Sequence, residues 1–351
     1  MFKNQYKTLA RAGFFLLFCA AFMRAQDEAD SIKAVPIFTG STSYSTRVTG
    51  GVYQDAISVS PLVLVPVGDK WLVEAKGSLS DTFAKAATGD YNGTVSYGLG
   101  YAQVDYIANR YVTLSAGRFI VPFNIYGERL APNWIRALPL TPMTSSVTSG
   151  SSLGGMMRGG FPATEKINVT YATYFSSNNT HHLLATDRST GARLGFFLPQ
   201  QRLELGASFQ QGLQADRPHS SGTYFVWQPD RVPLSVRSEY VRSSGMKGSG
   251  YWIEGVYRLN QISLLRRLEI ASRAQQFFAA DNLSPATVKK LGALGKNTKQ
   301  ADFGLNYYLR SDVRAYGGYS RQFVVGKNAN LWAMGITYRF VLPMWPQGGA
   351  L

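Results

Sequence analysis

The feature that most constrains this chain is an alternation of apolar and polar residues with a period of two, repeated along its length. In 331–340, Trp332, Met334, Ile336, Tyr338 and Phe340 share one face, opposite Leu331, Ala333, Gly335, Thr337 and Arg339. In 70–79, Trp71, Val73, Ala75, Gly77 and Leu79 oppose Lys70, Leu72, Glu74, Lys76 and Ser78. The same reading sets Leu203, Leu205, Ala207 and Phe209 against Glu204, Gly206, Ser208 and Gln210, and it recurs in 251–259 and 301–309. Period two belongs to a strand whose faces meet different surroundings.

Strands are predicted over 38–53, 57–66, 70–80, 95–106, 111–120, 152–161, 167–175, 190–198, 202–213, 220–228, 233–243, 251–259, 264–276, 300–309, 313–323 and 329–340. Sixteen is an even number, as an up-and-down bacterial barrel needs to close. A soluble β-sandwich would alternate in the same way, with solvent on its polar side. Two features favour the barrel. Aromatics gather at strand ends (Trp71, Tyr106, Tyr111, Trp332, Phe340), where an interfacial girdle needs them. Short turns, such as 67–69, 107–110 and 310–312, alternate with long connections at 81–94, 121–151, 176–189 and 277–299. With 35 Gly, 20 Tyr and 20 Phe, the chain also suits strands of which only alternate residues meet lipid. The fold class predicted is all-β, a transmembrane antiparallel barrel of about 16 strands.

The first residues read as an export leader. Lys3, Lys7 and Arg11 precede the apolar run Ala12–Met23, which is shorter than the roughly 20 residues of a spanning helix. Cleavage after Ala25 gives a leader of 1–25; cleavage after Ala21 is the alternative. Residues 26–37 form a periplasmic lead, 38–340 the barrel and 341–351 a C-terminal tail. Cys19, the single cysteine, falls in the leader, so the rest of the chain has no disulfide or zinc-thiolate chemistry. The net charge is +15, and four of those cations lie in residues 1–25, which hold no acid. For an exported protein this basic excess points to anionic lipid or anionic solutes rather than to nucleic acid.

The stretch 116–142, AGRFIVPFNIYGERLAPNWIRALPLTP, resembles the strand-to-loop segment of the phosphate-selective porin O and P family. SPLVLVPVGDKWLVEAKGSLS at 60–80 resembles their first tight hairpin, and Gly335–Phe340 their closing strand. Asn124 stands where the family often has glycine after Pro-Phe, and Val341–Leu351 extend beyond the usual end. The resemblance implies a sixteen-stranded porin, often a homotrimer, seated in outer-membrane lipid. It also implies that the third external loop, here 121–151, folds into the lumen and narrows it. No dense run of Arg and Lys carries over the family's phosphate-binding ladder.

A porin needs no catalyst and no cofactor. It needs a wet lumen and a constriction of chosen charge, and rings of Arg or Lys select anions. The long loop and its roots supply Arg118, Arg129, Arg136 and Arg158 as candidate constriction residues, with Glu128 the only acid among 118–158. Further lumen cations are predicted at Lys70, Lys76, Arg237, Arg258, Arg267, Arg273, Arg314 and Arg339. Glu74, Glu204, Glu239, Glu254, Glu269 and Asp302 face them as partial offsets. The function expected is passive diffusion of small hydrophilic solutes with a preference for anions such as phosphate; cross-strand pairing that merely keeps the lumen wet is the plainer reading.

Competing chemistry is thin. Gly150-Ser151-Ser152-Leu153-Gly154 matches a nucleophile pattern, but a loop precedes it and a strand follows. His219 beside Ser220 is the nearest approach to a hydrolase pair, the alternative being a barrel lipase or protease. His181 and His182 offer no third metal ligand, and 292–298 lacks the spacing of a phosphate loop. A non-conducting adhesin barrel is the remaining alternative.

Overall fold

The computed structural model describes residues 36–49, 52–85, 89–132, 134–147, 150–179, 186–214, 217–244, 248–280, 295–324 and 327–343. These form sixteen strands, each antiparallel to its sequence neighbours: β1 (Ile37–Thr49), β2 (Val52–Val67), β3 (Trp71–Lys85), β4 (Tyr91–Asn109), β5 (Val112–Ile120), β6 (Ser151–Thr164), β7 (Ile167–Asn179) and β8 (Thr186–Leu198) come first. Then follow β9 (Leu203–Gly212), β10 (His219–Trp227), β11 (Leu234–Ser243), β12 (Ser249–Arg258), β13 (Leu268–Phe278), β14 (Thr298–Tyr308), β15 (Val313–Val324) and β16 (Lys327–Pro343). Pairing of β1 with β16 closes the barrel. Closure leaves no sheet edge except along β4 before Ala102, which β5 does not reach; elsewhere strands can cross lipid with their backbone groups paired. None of the described helices is long and apolar enough to cross a membrane.

Alternation places apolar side chains outside. On β14, Phe303, Leu305 and Tyr307 are exposed, while Asp302 and Asn306 are buried within. On β16, Trp332, Met334, Ile336 and Tyr338 face out and Ala333 and Thr337 face in. Aromatic pairs mark the two rims. Trp71 stacks 4.6 Å from Tyr106, and Phe38 5.6 Å from Phe340, at the end with short turns; Tyr319 lies 4.5 Å from Trp332 at the end with long loops.

The strands are longer than the sequence pattern indicated. The first reversal falls between Thr49 and Val52, not after residue 53. The predicted loops 81–94 and 176–189 shrink, because β3 runs to Lys85, β4 starts at Tyr91, β7 reaches Asn179 and β8 starts at Thr186. At the ends of β7 and β8 both faces are polar or small, as in the Ser176–Ser189 hydroxyl pair at 2.7 Å, so period two disappears while the ladder continues. At the other end, Val341–Pro343 of the predicted tail pair with Ile37–Thr39, extending the closing seam. The leader 1–25 and 26–35 of the lead lie outside the described residues, whereas Ile37, assigned to the lead, opens β1.

Candidate functional site

The loop L3, residues 121–150, leaves β5 and turns into the barrel. Phe119, Val121, Phe123, Met143, Val147, Met156, Tyr174, Val241 and Phe277 pack there into one apolar cluster. This is the core of the molecule, and it lies inside the barrel, between L3 and the wall. Two local features start the inward turn. Asn124 takes a left-handed backbone, φ 52°, where glycine is favoured and Asn is among the better-tolerated alternatives. One turn of π-helix, Tyr126–Leu130, follows.

Polar side chains of the wall then take up the loop's backbone groups. Glu239, fully buried on β11, accepts from the Ile125 and Tyr126 amides at 2.8 and 2.6 Å and from Trp252 Nε1 at 3.0 Å. Ser208 on β9 accepts from the Asn124 amide at 2.9 Å. The loop next reaches the short-turn end, where Arg129 Nη1 donates to both Glu204 oxygens, at 2.9 and 2.7 Å. Burial alone would lower the Arg129 pKa; the Glu204 carboxylate reverses this and raises it above its ordinary value. Glu128 pairs with Arg193 of β8. Returning, the loop gives its Arg136, Ala137 and Leu140 carbonyls to Arg314, Asn306 and Arg273, and its Met143 amide to Gln275. L3 thus descends nearly the full depth of the lumen and climbs back along the β8–β15 wall.

Close approach along that wall depends on missing side chains. A Cβ on Gly318 would meet Pro139 Cγ at 2.7 Å, and one on Gly304 would meet Leu138 Cδ2 at 2.7 Å. The proline ring is rigid, so the first of these contacts has little means of relaxing.

The predicted site residues divide sharply. Arg129 and Arg136 enter the lumen with L3. Arg158 also points inward, but it is paired with Asp105 at 2.6 Å. Arg118 does not belong to the constriction. It shares the outer face of β5 with Leu114, beside Leu153 of β6, and its Nε donates to Ser151 Oγ at 2.9 Å. Plain alternation along β5 places Ser115 and Phe119 inside and Arg118 outside. Lys70 lies in the exposed turn before β3, and Arg267 in the connection before β13, its Nη1 on the Leu309 carbonyl; neither lines the lumen. Arg237 and Arg273 face inward but are tied up by Glu254 and Asp302. Arg258, Arg314, Arg339 and Lys76 face inward as predicted.

Two inward cations escaped the sequence reading. Arg193, on the inner face of β8, is held by Glu128 of L3. Arg47, on the inner face of β1, occupies a position that the period-two pattern could have flagged. The charge of Arg136 acts on both Arg47 and Lys76, so three cations from L3, β1 and β3 converge on the side of the lumen that L3 leaves open. Neither Arg47 nor Lys76 has an ion-pair partner among the described residues.

The catalytic alternatives separate on inspection. His219 and Ser220 are neighbours on β10, one exposed and one buried inside, and His219 lies against Phe209, ring centroids 6.2 Å apart. Ser152 points inward from β6, with no helix after it. His181, His182 and 292–294 lie outside the described residues, among which no group of three metal-ligating side chains occurs.

No protein-family model matches the chain, and no curated protein matches its sequence. Solved structures do. OprB of Pseudomonas putida superposes with a TM-score of 0.56 at 9% identity, over 87% of this chain and 93% of that one. A loop-deletion form of OmpT, an outer membrane protein of Vibrio cholerae, gives 0.54 at 11%, over 88% and 99%. A Rhodopseudomonas blastica porin variant gives 0.52 at 10%, over 87% and 100%. At such identities the likeness is one of fold: this chain has the barrel architecture of these outer-membrane proteins.

Proposed function

We propose that this chain is an outer-membrane porin, exported by a cleaved leader, through which small hydrophilic solutes diffuse passively with a preference for anions. The observation that carries the reading is the convergence of Arg47, Lys76 and Arg136 on the open side of the lumen. On the opposite side the charges largely cancel in pairs: Arg129 with Glu204, Arg193 with Glu128, Arg237 with Glu254, Arg273 with Asp302. A solute therefore passes an excess of positive charge on the open side, which suits anion preference. Phosphate is one anion of this kind, bound through guanidinium donors. No step requires a catalyst, and the short-turn end faces the periplasm.

The barrel also carries grounds for self-association into a trimer. Asp55 and Asp81 point outward, beside Ile57 and Phe83, and the Tyr44 hydroxyl donates to Asp55 at 3.1 Å. Carboxylates set among lipid-facing apolar residues are unfavourable, so another subunit is the better cover for this face.

The test is the reversal potential of the purified protein in a planar bilayer under a potassium chloride gradient, with phosphate then titrated in. A chloride-favouring potential supports the reading, and block by phosphate adds that solute. Conductance with no preference removes the anion preference, and absence of conductance removes the porin itself.

A further inference from the structure

L3 carries one aromatic residue to its lowest point. Trp134 sits near the short-turn end, edge-on to Tyr308 of β14 with ring centroids 6.4 Å apart. Arg314 of β15 and Arg339 of β16 stand over the Trp134 ring at 5.7 and 5.4 Å, and Arg258 of β12 stands over Tyr308 at 4.7 Å. A cation held over an aromatic face keeps its charge and uses none of its N–H donors. Arg258 and Arg339 make no side-chain hydrogen bond or ion pair among the described residues, so their forks stay available to a visiting oxyanion. Glu269 is the carboxylate on which Arg314, Arg258 and Arg237 act. It is already engaged by Asn306 Nδ2 at 3.1 Å, and three guanidiniums outweigh it. On the Arg258 side of this group opens a cavity of about 610 Å³, to which Arg258, Glu269 and Arg231 contribute lining. That volume falls in the range of small-molecule sites.

We infer that this cradle is a subsite for organic anions bearing a carboxylate on a flat ring. The carboxylate is taken by Arg258 and Arg339, whose planar forks match it, and the ring packs among Trp134, Tyr308 and the guanidinium planes. Charge alone would serve any anion; the aromatic rings beside the guanidiniums are what single out a flat, unsaturated body. The subsite rests on the porin reading for its place on a transport route, but not for its binding.

The experiment compares benzoate, acetate and cyclohexanecarboxylate as blockers of the potassium chloride current. Isothermal titration calorimetry on the detergent-solubilised barrel, with the same three anions, reads binding without flow. Benzoate should act at concentrations about tenfold below the other two. Trp134→Ala and Arg339→Gln should each abolish that margin, Trp134→Phe should restore much of it, and Arg118→Gln on the outer face should leave it intact. The heat-modifiable gel mobility of each variant reports whether its barrel has closed. Equal action of benzoate and acetate on the native protein overturns the subsite, as does a margin that survives both Trp134→Ala and Arg339→Gln. A benzoate margin by calorimetry without any conductance supports the subsite and overturns the porin.

Discussion

At the scale of single residues, Asp302 is the most heavily engaged side chain in the lumen. It accepts from Arg273 Nε at 2.8 Å, Gln275 at 2.7 Å, Gln300 at 2.6 Å and the Ser320 hydroxyl. Removing it would leave the Arg273 guanidinium, whose side chain is only 1% exposed, with Glu254 at 3.5 Å as its remaining carboxylate. Asp302→Ala should therefore cost about 2–3 kcal/mol, read as a lower urea midpoint for the refolded barrel, since four buried donors lose their acceptor while Arg273 keeps Glu254. A change below 1 kcal/mol would mean that water reaches Arg273. The open-side cations differ in kind. Arg136→Ala or Lys76→Gln should move the reversal potential toward zero, Lys76→Gln with little loss of stability, while Arg118→Ala should leave it unmoved. An equal shift from Arg118→Ala would place that side chain in the pore. Parity within a strand was legible for Arg158 and Arg339. It failed for Arg118, read as part of the loop root although it lies on the outer face of β5. Which cations are neutralised was not legible, because Arg193 and Arg129 find their partners across the lumen, 65 and 75 residues away.

At the scale of elements, L3 is held by side chains of the wall rather than by a ladder of its own. Glu239 takes two of its amides, and the Gly318 position gives Pro139 room to approach. Glu239→Ala leaves both amides and Trp252 Nε1 without their acceptor, at about 1–3 kcal/mol for each group that stays dry. We expect larger unitary conductance and flickering current in single-channel records of Glu239→Ala. Gly318→Leu should give a similar widening by pushing Pro139 off the wall. Native-like, quiet currents in both variants would show that L3 keeps its place through the Phe119–Val147 apolar cluster alone. The loop's length and its turn-forming Pro-Phe-Asn were visible in sequence. Its depth was not, since this depends on where glycines on β14 and β15 fall relative to Leu138 and Pro139.

At the scale of the whole molecule, β4 has an unusual edge. Its pairing with β5 covers only Ala102–Asn109, so the strand from Tyr91 to Tyr101 is paired on one side, to β3. Tyr91, Val95 and Tyr97 are 62–67% exposed along it, more than most outward apolar residues of the wall. An edge of this kind is open to pairing or packing with another chain, and it continues the face that holds Asp55 and Asp81. Under the trimer proposal, Val95→Lys with Tyr97→Lys should bring the particle mass in light scattering down to that of a monomer while the heat-modifiable barrel persists; an unchanged mass would place the interface elsewhere. The amino-acid sequence by itself determined that this chain closes into a sixteen-stranded barrel with apolar residues outside. Period two, rim aromatics and even strand number are local properties, repeated often enough to survive errors at individual ends. Only the tertiary structure decided which lumen charges remain to meet a solute, because that depends on how L3 lies against strands far away in sequence. Electrostatic pairing acts over a few ångströms in space, and the chain does not write such distances in residue order.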